Sequence, residues 1–417
     1  MEEDHTLAYD PTAYNCLVAF SAEWPCLSFD LLKDDSGDRR ETFPHTMYLA
    51  AGTQAASPGE NGVIVLKLNG ISKGRHGEQD KPKADGMDED DSDDASSSSS
   101  DEEEQDAQAL YSRTTTHFGC VNRIRSMPQQ PSILATSGDS AIVQVWDMGR
   151  HLQELDPLTP TSVKGGAQEH GSLRVSPRHA HRHSQEGYAL DWSRMVQGQL
   201  ASGDTAAQIL IHVPKEGGRW DVTAPYVGHT KSVEDIQWSP NEPTVFATCS
   251  SDRSICVWDT REKSKCMISI QNAHGGDVNV ITWRPLVSHM IASGGDEGLL
   301  KVWDLRQFDK GKHIANFAHH RSAITAVEWS PFEAAMLCTG SEDGTVGIWD
   351  LSVERDPEEE AQMGQMQQST PKDLPPQLMF IHAGQTDIKE VHWHPQIPGM
   401  VVSTAREGFN AFKPSNI

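Results

Sequence analysis

One figure recurs along the chain and limits what it can fold into: a run of alternating apolar residues that ends on Trp-Asp. It closes SGDSAIVQVWDM at Asp147, SSDRSICVWDT at Asp259, GGDEGLLKVWDL at Asp304 and GSEDGTVGIWDL at Asp350. In the second of these, Ile255 and Val257 face one way and Cys256 and Trp258 the other, as they do in a strand. A His stands upstream in each unit, at His117, His183, His229, His274, His320 and His382, and the middle intervals are 46, 45 and 46 residues. That period is close to one four-stranded propeller blade; the two longer intervals, 66 and 62, mark insertions.

Other positions keep step with the repeat. Apolar residues follow the His at fixed distances, as Val233, Ile236 and Trp238 follow His229. Ten residues before the terminal aromatic stands a hydroxyl (Thr136, Thr248, Ser293, Thr339), or Ser202 where His212 replaces Trp. Six residues before it stand Asp252, Glu297 and Asp343. An acid, a His, a hydroxyl and an indole N–H can satisfy one another in a single buried chain, so burying them costs little and fixes the blade.

These units resemble WD repeats, and the resemblance implies a β-propeller. Six run from 117 to 412, the last with Phe412 in the Trp place, and HTMYLAAGTQ (45–54) with NGVIVLKLNG (61–70) supplies a seventh. The expected fold is therefore all-β, a seven-bladed WD-repeat β-propeller over 26–417, preceded by an arm at 1–25. CLSFDLL (26–32) is expected to close the ring against the last blade. PTAYNCLVAF (11–20) reads as a short helix, with Asp10 as N-cap and Pro11 at its first position.

The net charge of −25 is both concentrated and general. Residues 85–106 hold twelve carboxylates and no Lys or Arg, which leaves −13 for the rest. Such a balance argues against nucleic acid as a direct ligand and for a basic protein partner. Residues 71–110 carry almost no large apolar side chains and are expected to form a disordered acidic loop. In it Ser98 and Ser100 precede acids three residues on, a casein-kinase-two-like context for phosphorylation. Further insertions are expected at 148–182 and at 352–377, an acidic Pro-Pro loop. Seven cysteines, an odd number lying mostly in strand-like runs, read as small core residues of a reducing compartment. No apolar run approaches a membrane span, so a cytosolic or nuclear monomer without membrane contact is expected.

No catalytic constellation is found: there is no phosphate-binding glycine loop, no G-x-S-x-G, and no Cys/His pairing outside the repeats. HAHRH (179–183) resembles a metal tract superficially, but lies in a Ser/Pro/Arg-rich linker and includes a repeat His. Nine of eleven Trp residues fall on repeat positions and belong to the core; Trp24 and Trp220 do not. Neither an enzyme, nor a cofactor, nor a metal is expected.

A more specific resemblance rests on WPCLSFDLL, YVGHTKSVEDIQWSP, GGDEGLLKVWDLRQF, WDLSVERDPEEE and VHWHPQIPGMVVSTA. These are similar to the glutamate-rich WD-repeat proteins, from about residue 9 to the C-terminus. The resemblance implies a nuclear and nucleolar protein of 60S ribosome biogenesis that chaperones a basic partner, ribosomal protein L-three or core histones. DLPPQLMFIHAG (373–384) and WPCLSFD also resemble the retinoblastoma-binding histone chaperones, which grip a histone helix between an N-terminal helix and an acidic Pro-Pro loop. Transferred here, that groove has an apolar floor of Tyr14, Leu17, Val18, Phe20, Leu378 and Phe380. Its acidic wall is Glu354, Asp356, Glu358, Glu359 and Glu360. An alternative function is a substrate receptor of a cullin-four ubiquitin ligase, because WDTR (258–261) and WDLR (303–306) match the W-D-x-R motif of such receptors; Arg261 and Arg306 would then contact the adaptor.

Overall fold

The computed structural model describes residues 10–74, 108–156, 174–262, 265–353 and 374–417. Seven four-stranded antiparallel sheets form the blades of a propeller. Blades 1 to 6 are continuous in sequence, at 26–116, 121–182, 189–222, 233–270, 278–318 and 324–382. Blade 7 takes three strands from 390–414 and its outermost strand from the other end of the chain. Trp146, Trp258, Trp303 and Trp349 all lie on third strands, as the repeat requires.

The N-terminal region departs from expectation. Asp10 does cap a helix, accepting from Thr12 N at 2.9 Å, but that helix is a single 3-10 turn, Pro11–Ala13. Residues Tyr14–Phe20 are a strand, β1, paired antiparallel with Gly408–Pro414: Val18 faces Ala411 and Phe20 faces Phe409. Cys16 and Val18 are buried toward blade 1 and, across a bulge, Tyr14 toward blade 6, so both faces of the segment find apolar cover, which an extended strand allows and a helix does not. β1, and not 26–32, thus completes the last blade, and the propeller begins inside the expected arm. Cys26–Leu32 (β2) is the first strand of blade 1. It still helps to close the ring, since Phe29 N donates to Glu390 at 2.8 Å and Thr404 Oγ1 donates to Cys26 O at 2.9 Å.

A strap strengthens this seam. The 33–44 connection leaves blade 1 and crosses blade 7, where Gln396 accepts from Asp34 N (2.9 Å) and donates to Asp34 O (2.8 Å) and Gly37 O (3.2 Å). Its Arg39 guanidinium then reaches the Phe332 ring of blade 6 at 5.3 Å.

The predicted polar chain is present in three blades. His229 Nδ1 lies 3.1 Å from Asp252, Thr248 Oγ1 lies 2.7 Å from His229 Nε2, and Trp258 Nε1 donates to Thr248 at 2.8 Å. His274–Glu297–Ser293–Trp303 and His320–Asp343–Thr339–Trp349 repeat it. In blade 2, Gly119 O replaces the acid as partner of His117. In blade 7 the Tyr14 hydroxyl bonds His382 Nδ1 at 2.8 Å, and the imidazole stacks on Phe412.

Of the three insertions, only the ends are described. The 148–182 segment begins with an α-helix, Gly149–Leu155 (α1), packed between blades 1 and 2, and ends as the fourth strand of blade 2, His179–Arg182. Ser98, Ser100 and the acidic residues Glu354, Asp356, Glu358, Glu359 and Glu360 lie outside the described residues.

Candidate functional site

The first strand of each blade lines the central channel, and its inner edge has no neighbouring strand to take up its N–H groups. Side chains of the preceding blade take them up. Asp191 accepts from Trp238 N (2.7 Å), Asp235 from Ile281 N (3.1 Å), Gln237 from Trp283 N (2.9 Å) and Glu328 from Trp393 N (2.7 Å). Asp30 accepts from Ser126 N (2.7 Å), and Glu390 bridges the seam to Phe29. Carboxylates inside otherwise apolar strands therefore form a girdle around a cavity of about 200 Å³.

Charge in the girdle is uneven. Burial raises the carboxyls of Asp30 and Asp235, and pushes Asp191 up to about 7. Glu390 is equally buried but falls well below the usual range, because Arg125 (2.6 Å), Arg123 (2.8 Å) and His392 surround it. For His392, burial favours the neutral ring, yet Glu328 and Glu390 together outweigh it and raise the group to about 10. Among the described residues no group of three or more His, Cys, Asp or Glu is arranged to hold a metal ion.

The girdle supports a second feature at one mouth of the channel, on the face that carries the connections between blades. Arg123 Nε donates to Tyr188 O at 2.8 Å and so positions Tyr188 at the rim. Burial, then Glu186, Glu234 and Asp139, raise its phenol, so the charge of three carboxylates acts on one half-buried ring. Two of these are oriented: Asn122 Nδ2 donates to Glu186 at 3.2 Å and Ser251 Oγ to Glu234 at 2.6 Å. Asp139 faces Gly119, where φ is +87° and an added Cβ would lie 2.1 Å from Asp139 Oδ1, so only glycine fits. Beside it Phe118 is 72% exposed. An aromatic ring among carboxylates, with a second apolar ring nearby, is suited to Lys or Arg side chains of a partner. The repeat count hides this site, because its residues fall on connections and strand starts, outside the repeated positions.

The sequence-predicted floor residues are distributed differently from expectation. Tyr14, Leu17 and Phe380 share one apolar cluster between blades 6 and 7, with the Tyr14 and Phe380 rings 5.2 Å apart. Val18 and Phe20 turn to the cluster between blades 7 and 1, where Phe20 stacks on Phe409 at 5.1 Å. Leu378 packs beside Trp349 on the other side, in the cluster between blades 5 and 6. Tyr14 and Val18 are buried, and Leu17, Phe20, Leu378 and Phe380 are half-buried. Arg261 and Arg306 lie on the opposite face from Tyr188, each folded onto the Asp of its own W-D-x-R: Asp304 accepts from Arg306 N at 3.0 Å and from its guanidinium at 2.7 Å. Asp259 and Arg261 make the same pair. The motif is thus a self-closed turn, with guanidinium side chains 76% and 66% exposed.

Comparison with known proteins adds three relatives and two family models. The family model for histone-binding protein RBBP4 matches residues 4–72, and that of the WD domain, G-beta repeat, matches 220–259, 264–304 and 311–350. The Arabidopsis thaliana protein HEAT STRESS TOLERANT DWD 1 is 45% identical, over 100% of this chain and 90% of its own length. Glutamate-rich WD repeat-containing protein 1 of Dictyostelium discoideum is 44% identical, over 100% and 83%. Ribosome assembly protein rrb1 of Schizosaccharomyces pombe is 39% identical, over 98% and 82%.

Proposed function

Because the chain belongs to the family of the glutamate-rich WD repeat-containing proteins, we propose that it is a non-enzymatic scaffold that holds a basic protein during ribosome assembly in the nucleus and nucleolus. The observation that carries this reading is the acidic mouth around Tyr188, on a chain with net charge −25. A relative named as a ribosome assembly protein and a histone-binding family model over 4–72 support a partner rich in Lys and Arg. Ribosomal protein L-three and core histones are the partners of choice. The apolar residues Tyr14, Leu17 and Phe380, together with the acidic sequence at 354–360, are the second contact proposed for a basic helix, in the helix-in-groove mode.

Two charge reversals separate the surfaces. Glu186→Lys with Glu234→Lys acts at the mouth, and Glu358, Glu359 and Glu360 to Lys act at the groove. Titrated at physiological salt with core histones and with ribosomal protein L-three, each reversal is expected to weaken binding at least tenfold, about 1.4 kcal/mol, if its surface is used. Wild-type affinity in both variants for both partners would sink the proposal.

A further inference from the structure

Four imidazoles converge between blades 2 and 3, at the one blade where His212 stands in place of Trp. His179 Nε2 is 3.2 Å from His212 Nδ1, and Ser202 Oγ lies 2.9 Å from His212 Nε2 and 2.8 Å from His183 Nε2. His183 Nδ1 lies 3.4 Å from Asp204, and Ser184 Oγ donates to the same carboxylate. His181 packs edge-on to both His212 and His183.

One set of neutral tautomers satisfies this whole chain. His179 Nε2–H donates to His212 Nδ1, His212 Nε2–H to Ser202, the Ser202 hydroxyl to His183 Nε2, and His183 Nδ1–H points at Asp204. His212 has a single acceptor, and His179 uses it. A first proton on the pair can be shared, His212 Nδ1–H donating to His179 once that ring changes tautomer, at the cost of a charge in a buried site; a second proton sets two N–H groups against each other. In four other blades the equivalent position holds an indole, Trp146, Trp258, Trp303 or Trp349, which donates to the hydroxyl and does not titrate.

We propose that the His179–His212 contact is an acid-sensitive latch, which holds the fourth strand of blade 2 on blade 3 at neutral pH and releases it when both imidazoles are protonated. The strand that it holds, His179–Arg182, is an edge strand returning from the 148–182 insertion. Trp220 flanks His179 at 5.4 Å on the blade 3 side. Of the charged groups nearby, among the described residues only Asp204 faces the chain. Arg182 donates to Ser140 O, Arg178 pairs with Asp147, and Lys215 pairs with Asp221. Burial and mutual repulsion lower His179, His181 and His212 below the ordinary histidine value, His212 well below it. The sign follows: the latch is complete above about pH 6.5, and is lost as pH falls from there toward the depressed values.

Amide exchange of residues 179–182, corrected for intrinsic rate, tests the latch in the full-length protein. For each extra proton bound by the open form, opening increases about tenfold per pH unit below 6.5. Between pH 7.5 and 5.5 the opening constant of this strand is expected to rise at least tenfold, while Ile268–Ile270, the equivalent strand of blade 4, stays level. His212→Trp restores the residue of the other blades and is expected to abolish the rise. His179→Phe leaves the Ser202 chain intact and should abolish most of it, which keeps the test valid if Trp does not fit at 212. A wild-type rise under threefold, or a full rise retained by a folded His179→Phe protein, would overturn the latch.

Discussion

Replacing Glu390 by Gln keeps the shape of the girdle and removes the charge at its most demanding point. The carboxylate is 2% exposed, accepts Arg125 at 2.6 Å and Arg123 at 2.8 Å, and joins blade 7 to blade 1 through Phe29 N. The amide oxygen can still accept from Phe29, worth about 1 kcal/mol. Its NH₂, however, now faces donors, and two guanidinium groups lose their nearest counter-charge, while His392 keeps Glu328 at 3.2 Å but loses Glu390. Removing one partner of a buried ion pair costs about 3–5 kcal/mol. With the retained amide bond, a net loss of about 2–4 kcal/mol is expected, a large share of the roughly 5–15 kcal/mol by which folded domains are stable. Urea unfolding followed by Trp fluorescence at pH 7 measures it. Adding Arg125→Met should recover about 1–3 kcal/mol, because the second change removes the charge that the first left unpaired. The pH profile adds a second check. Glu390 is depressed in the folded state, so its contribution is present above the ordinary glutamate value, about 4.3, and fades in acid. His392 is raised to about 10, so its contribution is complete below about 6.5 and fades as pH rises through 10. The gap between wild type and variant should therefore be widest near pH 5–6.5. A loss under about 1 kcal/mol, or one that Arg125→Met does not offset, would refute the girdle as a source of stability.

Three further outcomes are expected. Trp303→Phe leaves Ser293 Oγ without its indole donor and should cost about 1–3 kcal/mol by thermal unfolding, with Trp220→Phe as an off-chain control. Arg261→Ala with Arg306→Ala should leave the melting temperature unchanged, since both guanidinium groups lie in water, and should abolish capture of a ligase adaptor; if wild type captures no adaptor either, the receptor reading is dropped. Deleting 85–106 should slow association with a basic partner and flatten its salt dependence, because exposed charges act over about 8 Å at physiological salt; an unchanged on-rate at low salt would show the tract to be a bystander.

The blades are legible in the sequence because their polar chain repeats at fixed offsets: His229, Thr248, Asp252 and Trp258 can be assigned by counting alone. Residues 11–20 mislead for a physical reason. Asp10 and Pro11 are true helix-start signals, but they serve only one 3-10 turn, and the alternation Tyr14, Cys16, Val18 that follows is that of a strand. The partner of that strand, Gly408–Pro414, is too remote for any local signal to reveal. The girdle leaves a readable trace, single carboxylates inside apolar strands at Asp191, Asp235, Glu328 and Glu390, whose purpose depends on the neighbouring blade. The mouth around Tyr188 leaves none, since Asn122 and Asp139 come from blade 2, Glu186 from the connection between blades 2 and 3, and Glu234 from blade 4.

The pairing of Tyr14 with Pro414 sets the order of events during synthesis. Made before the other described strands, β1 is the last to find its place, because its neighbour emerges 400 residues later. Until then six blades can complete their own sheets, but blade 7 cannot, and β1 trails as an unpaired strand with Tyr14, Cys16 and Val18 open to water. Cleavage or mispairing of that trailing strand removes the edge cover from the last blade and the Tyr14 hydroxyl from His382 together. A truncation that stops short of residue 408 is therefore expected to disable both ends of the molecule, with six intact blades between them.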